Sequence, residues 1–235
     1  YGLWNPIGSR QRTFTGLPDE VGLIDGVRDS ALIFEEMLHL IFEIHNNLDD
    51  VNYLKCSLNK LSDKMMGAVD VMAQSIKHID PWVFSNKLRP YFDPVKIGNR
   101  KYVGPGGGQI PLYLLDTLLW YSSDDRIYNE FCEECNAYMP AHIRIHYSKF
   151  KNKKPLLRTF MEEDYDQLKT ENYALIQALL KFRKPHKGLA KKSLNEKNRG
   201  NYNTGSAGYE FSFVEHVLEL NLNNLKPVMN WINRH

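Results

Sequence analysis

The 235-residue sequence has only three cysteines, almost no net charge and no long apolar run. Three cysteines cannot form a disulfide framework for a chain of this length, which indicates a reducing compartment. No apolar stretch approaches the roughly 18 residues that cross a bilayer, and no basic and then apolar leader is present, so we expect a cytoplasmic protein without a membrane partner. The 30 basic and 28 acidic residues leave a formal charge of +2, which gives no general attraction to nucleic acid.

Two of the cysteines form the pair Cys132-Glu-Glu-Cys135. Such a pair can be half of a metal site or a redox pair, but no second pair accompanies it. Asn136 follows where covalent attachment of haem would need a histidine. The spacing therefore favours two small apolar residues on one face of a helix.

The sequence also lacks strands of alternating polarity and internal repeats, whereas apolar residues recur at three-and-four spacing along most of it. With 43% hydrophobic and 12% aromatic residues, it can bury a substantial core. These patterns predict an all-α fold with a single helical domain over residues 30–235. Residues 1–29 are predicted to form an irregular arm, because they hold five of the 15 glycines.

Local signals predict where the helices begin and end. Asp80-Pro81 starts a helix that runs to about Leu88, and Arg89-Pro90 ends it. A short hairpin is expected around Gly98-Asn99. A helix from about residue 126 is interrupted at Pro140, and residues 184–208, rich in Lys, Asn and Gly, are expected to form a flexible loop. The other predicted helices cover residues 30–48, 51–77, 109–121, 155–182, 209–222 and 225–234.

The first candidate site is the stretch 138–150, which reads YMPAHIRIHYSKF. Proline at 140 suits the first turn of a helix. A histidine on a partly apolar helical stripe is either a hydrogen-bonded core residue or a ligand, and the stretch alone favours the core residue for His142. The stripe at three-and-four spacing contains Met139, His142, Ile145, His146 and Lys149.

Three further stretches are candidate binding segments. Arg89 is flanked by aromatic residues, and its guanidinium group can grip a carboxylate or form a surface salt bridge. The segment 203–209, NTGSAGY, can hold an anion on its backbone N–H groups or act as a helix cap. It lacks the preceding strand and the Lys-Ser/Thr ending of a nucleotide-binding loop. The three glycines at 106–108 either let the backbone approach a flat group or form a tight turn.

Together these stretches resemble the superfamily of indoleamine 2,3-dioxygenase and tryptophan 2,3-dioxygenase, haem enzymes that oxidise aromatic amino acids. The resemblance covers residue 30 to the C-terminus. It rests on Phe84 and Arg89 at a spacing of five, the glycines before Gln109, the Tyr-Met-Pro-Ala-His stretch ending at His142, and the Thr-Gly-Ser-Ala-Gly loop from Thr204. The segments RPYFDPV and GPGGGQIPLYLLDTLLW look most similar to the branch that holds bacterial haem-dependent tyrosine hydroxylases and the ring-rearranging enzyme of pyrrolnitrin synthesis.

The resemblance implies a helical bundle of the indoleamine 2,3-dioxygenase type that encloses haem b, iron protoporphyrin IX. It implies that His142 binds the iron, that Arg89 binds the substrate carboxylate and that Phe84 contacts the aromatic ring. His39 is the candidate distal hydrogen-bond donor. One relative tethers its haem through a cysteine four residues after the axial histidine, and His146 at that position implies non-covalent haem. The candidate cofactor-binding residues are Gly106, Gly107, Thr204, Gly205 and Ser206.

The leading hypothesis is a haem-dependent oxygenase in secondary metabolism. This oxidoreductase would act as a monooxygenase, dioxygenase or peroxygenase on tyrosine, tryptophan or a derivative, with oxygen or hydrogen peroxide as the oxidant, and residues 184–208 would close over the substrate. One alternative is a haem-binding sensor or carrier without turnover. Another is a helical interaction module that binds a partner through the basic segment. A homo-oligomer is compatible with the sequence.

Overall fold

The computed structural model describes residues 5–102, 112–121, 124–195, 197, 200–205 and 208–234, and helices dominate this part of the chain. The all-α prediction is confirmed. None of the described helices is both long and apolar enough to span a bilayer. The helices are α1 (Pro18–Asn46), α2 (Val51–His78), α3 (Pro81–Val83), α4 (Leu112–Leu119), α5 (Arg126–Ala137), α6 (Ala141–Phe150), α7 (Leu156–Glu162), α8 (Lys169–Ser193) and α9 (Phe211–Ile232).

Helix α3 continues directly into one wider turn and one tighter turn. After them come the only two strands among the described residues. Residues Phe84–Leu88 form a π-helical turn, and Arg89–Phe92 form a 3-10 turn. Strands β1 (Val95–Ile97) and β2 (Arg100–Tyr102) then pair antiparallel. The predicted helix from Asp80-Pro81 and the hairpin at Gly98 are both confirmed.

Carboxylates that cap helix N-termini explain several boundaries. Asp50 accepts a hydrogen bond from Tyr53 N–H at the start of α2. Asp80 accepts from the N–H groups of the next turn of α3, where Pro81 occupies the first helical position. Each cap satisfies backbone donors that have no partner inside the helix.

The core lies where α1, α2 and α8 pack together, with α9 against α8. Helix α4 is its most buried element, because every residue from Tyr113 to Leu119 is buried. Each large apolar side chain that becomes fully buried contributes about 1.5–3 kcal/mol to stability. The inward stripe of α2 consists of Leu54, Leu58, Leu61 and Met65.

A buried ion pair joins α4 to α8. Asp116, which is 1% exposed, binds Arg183, and its carboxylate also accepts hydrogen bonds from Trp120 Nε1 at 2.8 Å and from the Tyr128 hydroxyl. Burial, and after it the charge of Asp116, raises the pKa of Tyr128 well above its ordinary value. Because four polar groups compensate one another here, removing one would leave an unpaired buried charge.

The predicted N-terminal arm over residues 1–29 is wrong from Pro18 onward, because α1 begins there and the helical domain therefore starts before residue 30. Glycines within α1 allow close helix packing instead of ending the helix. A Cβ atom at Gly26 would lie 2.0 Å from Ser75 Oγ on α2. Residues 5–17 do form an arm, and Phe14 stacks on Tyr91 with ring centroids 4.6 Å apart.

The predicted loop over residues 184–208 is wrong in its first part, because α8 continues through Pro185 to Ser193. Proline removes one backbone hydrogen bond from a helix, but Pro185 is exposed, so water can satisfy the carbonyl that loses its donor. The predicted helix over 155–182 is divided into α7 and α8. The two predicted closing helices form one helix, α9, which also contains a proline, Pro227.

Asp125 links the start of α5 to α9. Its carboxylate accepts a hydrogen bond from Tyr128 N–H at 2.8 Å and lies 2.9 Å from His216 Nε2. Burial acts to raise the pKa of Asp125, but the hydrogen bonds from Tyr128 and His216 and the charge of His216 outweigh it, so the net shift is downward.

Asp125→Ala is expected to reduce the free energy of unfolding by about 1–2 kcal/mol at pH 7, because it removes a cap and the partner of His216. A carboxyl group whose pKa is lowered by folding stabilises above its unfolded pKa, about 3.9, and loses that contribution as the pH falls through the folded value. The difference from wild type should therefore shrink below about pH 4. Urea unfolding at pH 7 and pH 3 measures it. Asp124→Ala, at an exposed neighbour, is the control, and an equal loss at both pH values would contradict the prediction.

Candidate active site

Arg89 lies at the junction of the π-helical turn and the 3-10 turn and is only 3% exposed. Its backbone N–H donates to the carbonyl of Phe84, five residues earlier. This wide turn explains the spacing of five, since it places the two residues one turn apart. Short π-helical segments are frequent at functional sites. The Ser85 hydroxyl anchors the π-helical turn to the end of α8 by donating a hydrogen bond to the Ser193 carbonyl at 2.8 Å.

The guanidinium group of Arg89 contacts the loop that precedes α9. Nη2 donates to the Gly205 carbonyl at 2.9 Å and lies 3.4 Å from Thr204 Oγ1, although Thr204 is 115 positions away in sequence. Nη1 donates to Asp93 Oδ1 at 2.8 Å, and the guanidinium carbon lies 4.5 Å from the centre of the Tyr202 ring. The structure therefore brings together the predicted residues Arg89, Thr204 and Gly205. Arg89 also forms an ion pair with Asp93, as the salt-bridge alternative predicted, but its own side chain is buried.

The Nε atom of Arg89 is buried and has no hydrogen-bond partner within the described part of the chain. A buried donor without a partner costs stability, and such atoms require an explanation in a native fold. In a guanidinium group, Nε–H and one Nη2–H point to the same side and form a fork that matches a carboxylate. One arm of this fork is unused in Arg89.

The loop beside Arg89 is held by backbone hydrogen bonds. Gly205 N–H donates to the Tyr209 carbonyl at 2.8 Å, and Gly208 N–H donates to the Gly205 carbonyl at 2.9 Å. Gly208 has a φ of +82°, which favours glycine. The predicted cofactor-binding residues Ser206, Gly106 and Gly107 lie outside the described residues.

The same loop reaches α5 through Tyr209. Its hydroxyl donates to Glu134 Oε2 at 2.5 Å, and its ring lies 5.3 Å from Phe131 and 4.4 Å from Phe213, measured between centroids. The Arg89 cluster, which we define as Arg89, Asp93, Tyr202, Thr204 and Gly205, is thereby connected to the helix that precedes His142.

Gly200 seats the loop against the π-helical turn. Its φ is +56°, and a Cβ atom there would lie 2.4 Å from Asn86 Oδ1. Gly200→Ala is expected to destabilise the protein by about 1–2 kcal/mol through backbone strain and this close approach. The control is Gly188→Ala on α8, where a Cβ meets open space and alanine should be neutral or stabilising. Thermal unfolding measures both, and equal shifts would contradict the prediction.

Phe84 is half-buried, and its ring lies 6.4 Å from that of Phe92, close to parallel. Both rings belong to the turns that carry Arg89. An aromatic surface therefore accompanies the guanidinium group, as the sequence predicted for Phe84, whose role in binding a substrate stays a prediction.

His142 lies on the exposed side of α6, which differs from the expected enclosed pocket. The buried face of α6 consists of Ile143, Tyr147 and Phe150. Within the stripe from the sequence, His142, Ile145 and Lys149 face outward instead, and Ile145 is 67% exposed, whereas Met139 is buried. The physical reason is that three aromatic and aliphatic side chains bury more apolar area than the stripe with two histidines and a lysine. The predicted break at Pro140 is confirmed, since α5 ends at Ala137 and α6 begins at Ala141.

Histidines of α1 and α6 lie near one another on this side. His146 stacks on Phe42 of α1 with ring centroids 3.8 Å apart, and its Nδ1 is buried without a partner within the described residues. Burial lowers the pKa of His146, and the charges of Lys149, His142 and His39 lower it further. His39 is exposed. Across the described residues, no group of three or more His, Cys, Asp or Glu side chains has the arrangement of a metal site.

The Cys132 and Cys135 pair packs into the core from α5. Burial raises the pKa of both thiols, that of Cys135 to about 12, so neither is reactive at neutral pH. The interpretation of the pair as two small apolar residues on one helix face is confirmed.

Sequence reasoning missed Asp93, Tyr202 and Tyr209. Asp93 follows Arg89 by four residues, a spacing that brings opposite charges together in helical turns and could have indicated the pair. Tyr202 and Tyr209 flank the Thr-Gly loop, but no local pattern shows that the loop folds back on residue 89.

These features can now be compared with known families. The chain matches the family described as monodechloroaminopyrrolnitrin synthase PrnB over residues 3–221. The chain belongs to this family. Its resemblance to the pyrrolnitrin branch is thereby confirmed. Members of the family are oxidoreductases of the oxygenase type, so the chain is an enzyme of that class.

Proposed function

We propose that the protein is a haem-dependent oxygenase whose substrate is an aromatic amino acid, such as tryptophan or tyrosine, or a derivative that retains the carboxylate. Membership of the PrnB family supports an aromatic substrate. The observation that carries the proposal is the buried guanidinium group of Arg89, which has an unused Nε–H beside the Thr204 loop and two aromatic rings.

The substrate carboxylate binds to the Nε–Nη2 side of Arg89. Asp93 keeps Nη1, and the Tyr202 ring supports one face of the guanidinium group, so the fork is already oriented when the substrate arrives. Asp93 is in turn held by the Tyr202 hydroxyl at 3.1 Å. The Thr204 hydroxyl accepts a hydrogen bond from the substrate ammonium, and the aromatic ring of the substrate packs on Phe84.

The residues around His142 fit a haem group. The outer side of α6 offers an exposed imidazole next to an exposed isoleucine, the chemistry that a flat, largely apolar macrocycle with a central metal would cover. The buried, unpartnered Nδ1 of His146 points to a polar group not supplied by the described residues. His142 would be the axial ligand, and exposed Arg144 and Lys149 are cations for the propionates. When bound, haem would supply the iron at which oxygen or peroxide is activated.

Non-covalent binding of this group is consistent with the positions of the cysteines. Cys132 and Cys135 are buried in α5, and Cys56 lies on α2. On α6, His146 occupies the position four residues after His142.

A haem-binding sensor or carrier is the second candidate, and the exposure of His142 is the observation that favours it. An exposed axial ligand allows haem to leave easily, as a carrier requires. Haem-loaded protein mixed with excess apomyoglobin measures this exchange: rapid loss would favour the carrier, and retention of haem the enzyme.

The proposed function is tested by titrating the protein with haemin. A stoichiometric Soret band is expected, and tryptophan or tyrosine should shift it. Mass spectrometry after addition of oxygen with a reductant, or of hydrogen peroxide, should then detect an oxidised product. A band without any product would support the carrier, and failure to bind haemin would refute both candidates.

A further inference from the structure

A line of aromatic rings leads from the Arg89 cluster into the core. The line, which we call the aromatic path, consists of Tyr209, Phe131, Tyr128, Tyr121 and Trp120. The successive centroid distances are 5.3 Å, 5.8 Å, 4.8 Å and 5.7 Å. One end begins beside Gly205, whose N–H binds the Tyr209 carbonyl and whose own carbonyl binds Arg89.

Three of the four oxidisable residues of the aromatic path donate to a carboxylate, whereas the Tyr121 hydroxyl donates to the amide of Asn129 at 3.1 Å. Tyr209 donates to Glu134 at 2.5 Å, and both Tyr128 and Trp120 donate to Asp116, the indole at 2.8 Å. A buried hydroxyl or indole N–H needs an acceptor, but a neutral carbonyl or amide would satisfy it as well as a carboxylate. Tyr113, an equally buried tyrosine beside the path, donates instead to the amide of Asn136 at 2.9 Å.

We propose that the aromatic path carries single electrons from Trp120 to an oxidant at the Arg89 cluster. Phenols and indoles lose an electron far more readily when a nearby base takes the proton, and carboxylates fixed by hydrogen bonds are such bases. Phe131 and Tyr121 supply the intervening π systems. Burial of Trp120 and Tyr128, each 1% exposed, shields the oxidised ring from solvent.

The transfer balances in electrons and protons. Tyr209 gives an electron to the oxidant and its phenolic proton to Glu134. Tyr128 then gives an electron to oxidised Tyr209, which recovers its proton, while the proton of Tyr128 moves to Asp116. Finally Trp120 reduces Tyr128, which recovers its proton from Asp116, and the indole proton of Trp120 moves to Asp116 in its place. The net change is one electron from Trp120 to the oxidant and one proton from Trp120 to Asp116.

For a role in the cell, the inference rests on the proposed function. A peroxide-derived one-electron oxidant formed at the site without substrate would draw its electron from Trp120 through the aromatic path. The path would thus protect Arg89 and the Thr204 loop from oxidation.

A photochemical experiment tests the path without haem. A ruthenium polypyridyl photo-oxidant is attached to N203C in a C56S background, next to Thr204; the two remaining cysteines are buried and do not react. Flash oxidation with an irreversible electron acceptor is expected to produce a tryptophan radical, seen by electron paramagnetic resonance, and a slower rise in deuterium oxide.

Tyr128→Phe keeps the ring but cannot be oxidised, so it should abolish the tryptophan signal, as should Trp120→Phe. Tyr113→Phe is the matched control and should leave the signal unchanged. A tryptophan radical that survives in Tyr128→Phe, or no buried radical in the labelled protein with otherwise native residues, would overturn the proposal. Because no haem is added, this failure is distinguishable from failure of the protein to bind haemin.

Discussion

Replacing His142 by alanine is expected to abolish the Soret band of protein titrated with haemin. In the proposal His142 would bind the iron, and the other histidines of α1 and α6 have different surroundings. His146 is stacked on Phe42, His45 lies against the ring of Phe150, and His39 lies on α1. Without this imidazole, haemin would be held only by apolar contacts and by ion pairs to its propionates. Such binding would be weak and would not give the spectrum of a histidine complex. Because His142 is exposed, its removal should not disturb folding.

Two controls separate loss of the ligand from other effects. His39→Ala should retain the band, since in the proposal His39 would donate a hydrogen bond and would not bind the iron. Free imidazole added to His142→Ala should restore the band by replacing the missing side chain. A band that is unchanged in His142→Ala would show that another residue binds the iron, and it would refute the assignment of His142.

The second large effect is expected for Arg89→Lys. Lysine keeps the positive charge but cannot form the planar fork, and the loss should weaken binding of an aromatic amino acid by about 2–3 kcal/mol, roughly 30- to 150-fold. The buried environment of Arg89 strengthens the effect, because Asp93 and Gly205 would keep only part of their hydrogen bonds. The affinity is read from the shift of the Soret band during titration with tryptophan and with tyrosine.

Decarboxylated analogues provide the sharpest control for this prediction. Tryptamine and tyramine lack the group that Arg89 would bind, so their affinities should be nearly equal for wild type and Arg89→Lys. Arg126→Lys, at an exposed residue paired with Glu130, should change nothing. An equal loss for amino acids and amines would indicate a collapsed site, and an unchanged amino acid affinity would refute the role of Arg89.

Much of the fold could be predicted because its signals are local. Asp80 before Pro81 starts α3, and Pro140 separates α5 from α6, since caps and proline act within one turn of the chain. The predictions failed where packing outweighs local preference. Gly26 occurs inside α1 because the close approach of Ser75 on α2 leaves no room for a side chain there. Pro185 occurs inside α8 because it lies on the exposed face of that helix.

The residues of the candidate site also fall into those that the sequence predicted and those that only the fold revealed. The aromatic residues around Arg89 pointed to a binding segment, the family resemblance added Phe84, and the Thr-Gly loop was predicted as a second segment. Asp93 and Tyr202 were not recognised, because their function as partners of Arg89 depends on contacts across the loop. The outward direction of His142 could not be predicted either, since two competing stripes of α6 carry apolar residues.

The sequence by itself determined the all-α class and the PrnB family, and it predicted the residues that would bind an iron and a carboxylate. These properties follow from side-chain chemistry and from spacing along one helix, which do not depend on distant parts of the chain. Only the tertiary structure decided that Arg89 meets Gly205, that its Nε has no partner among the described residues, and that Tyr209 begins a line of rings to Trp120. Each of these joins elements far apart in sequence, and their meeting depends on how all the helices bury their apolar surface together.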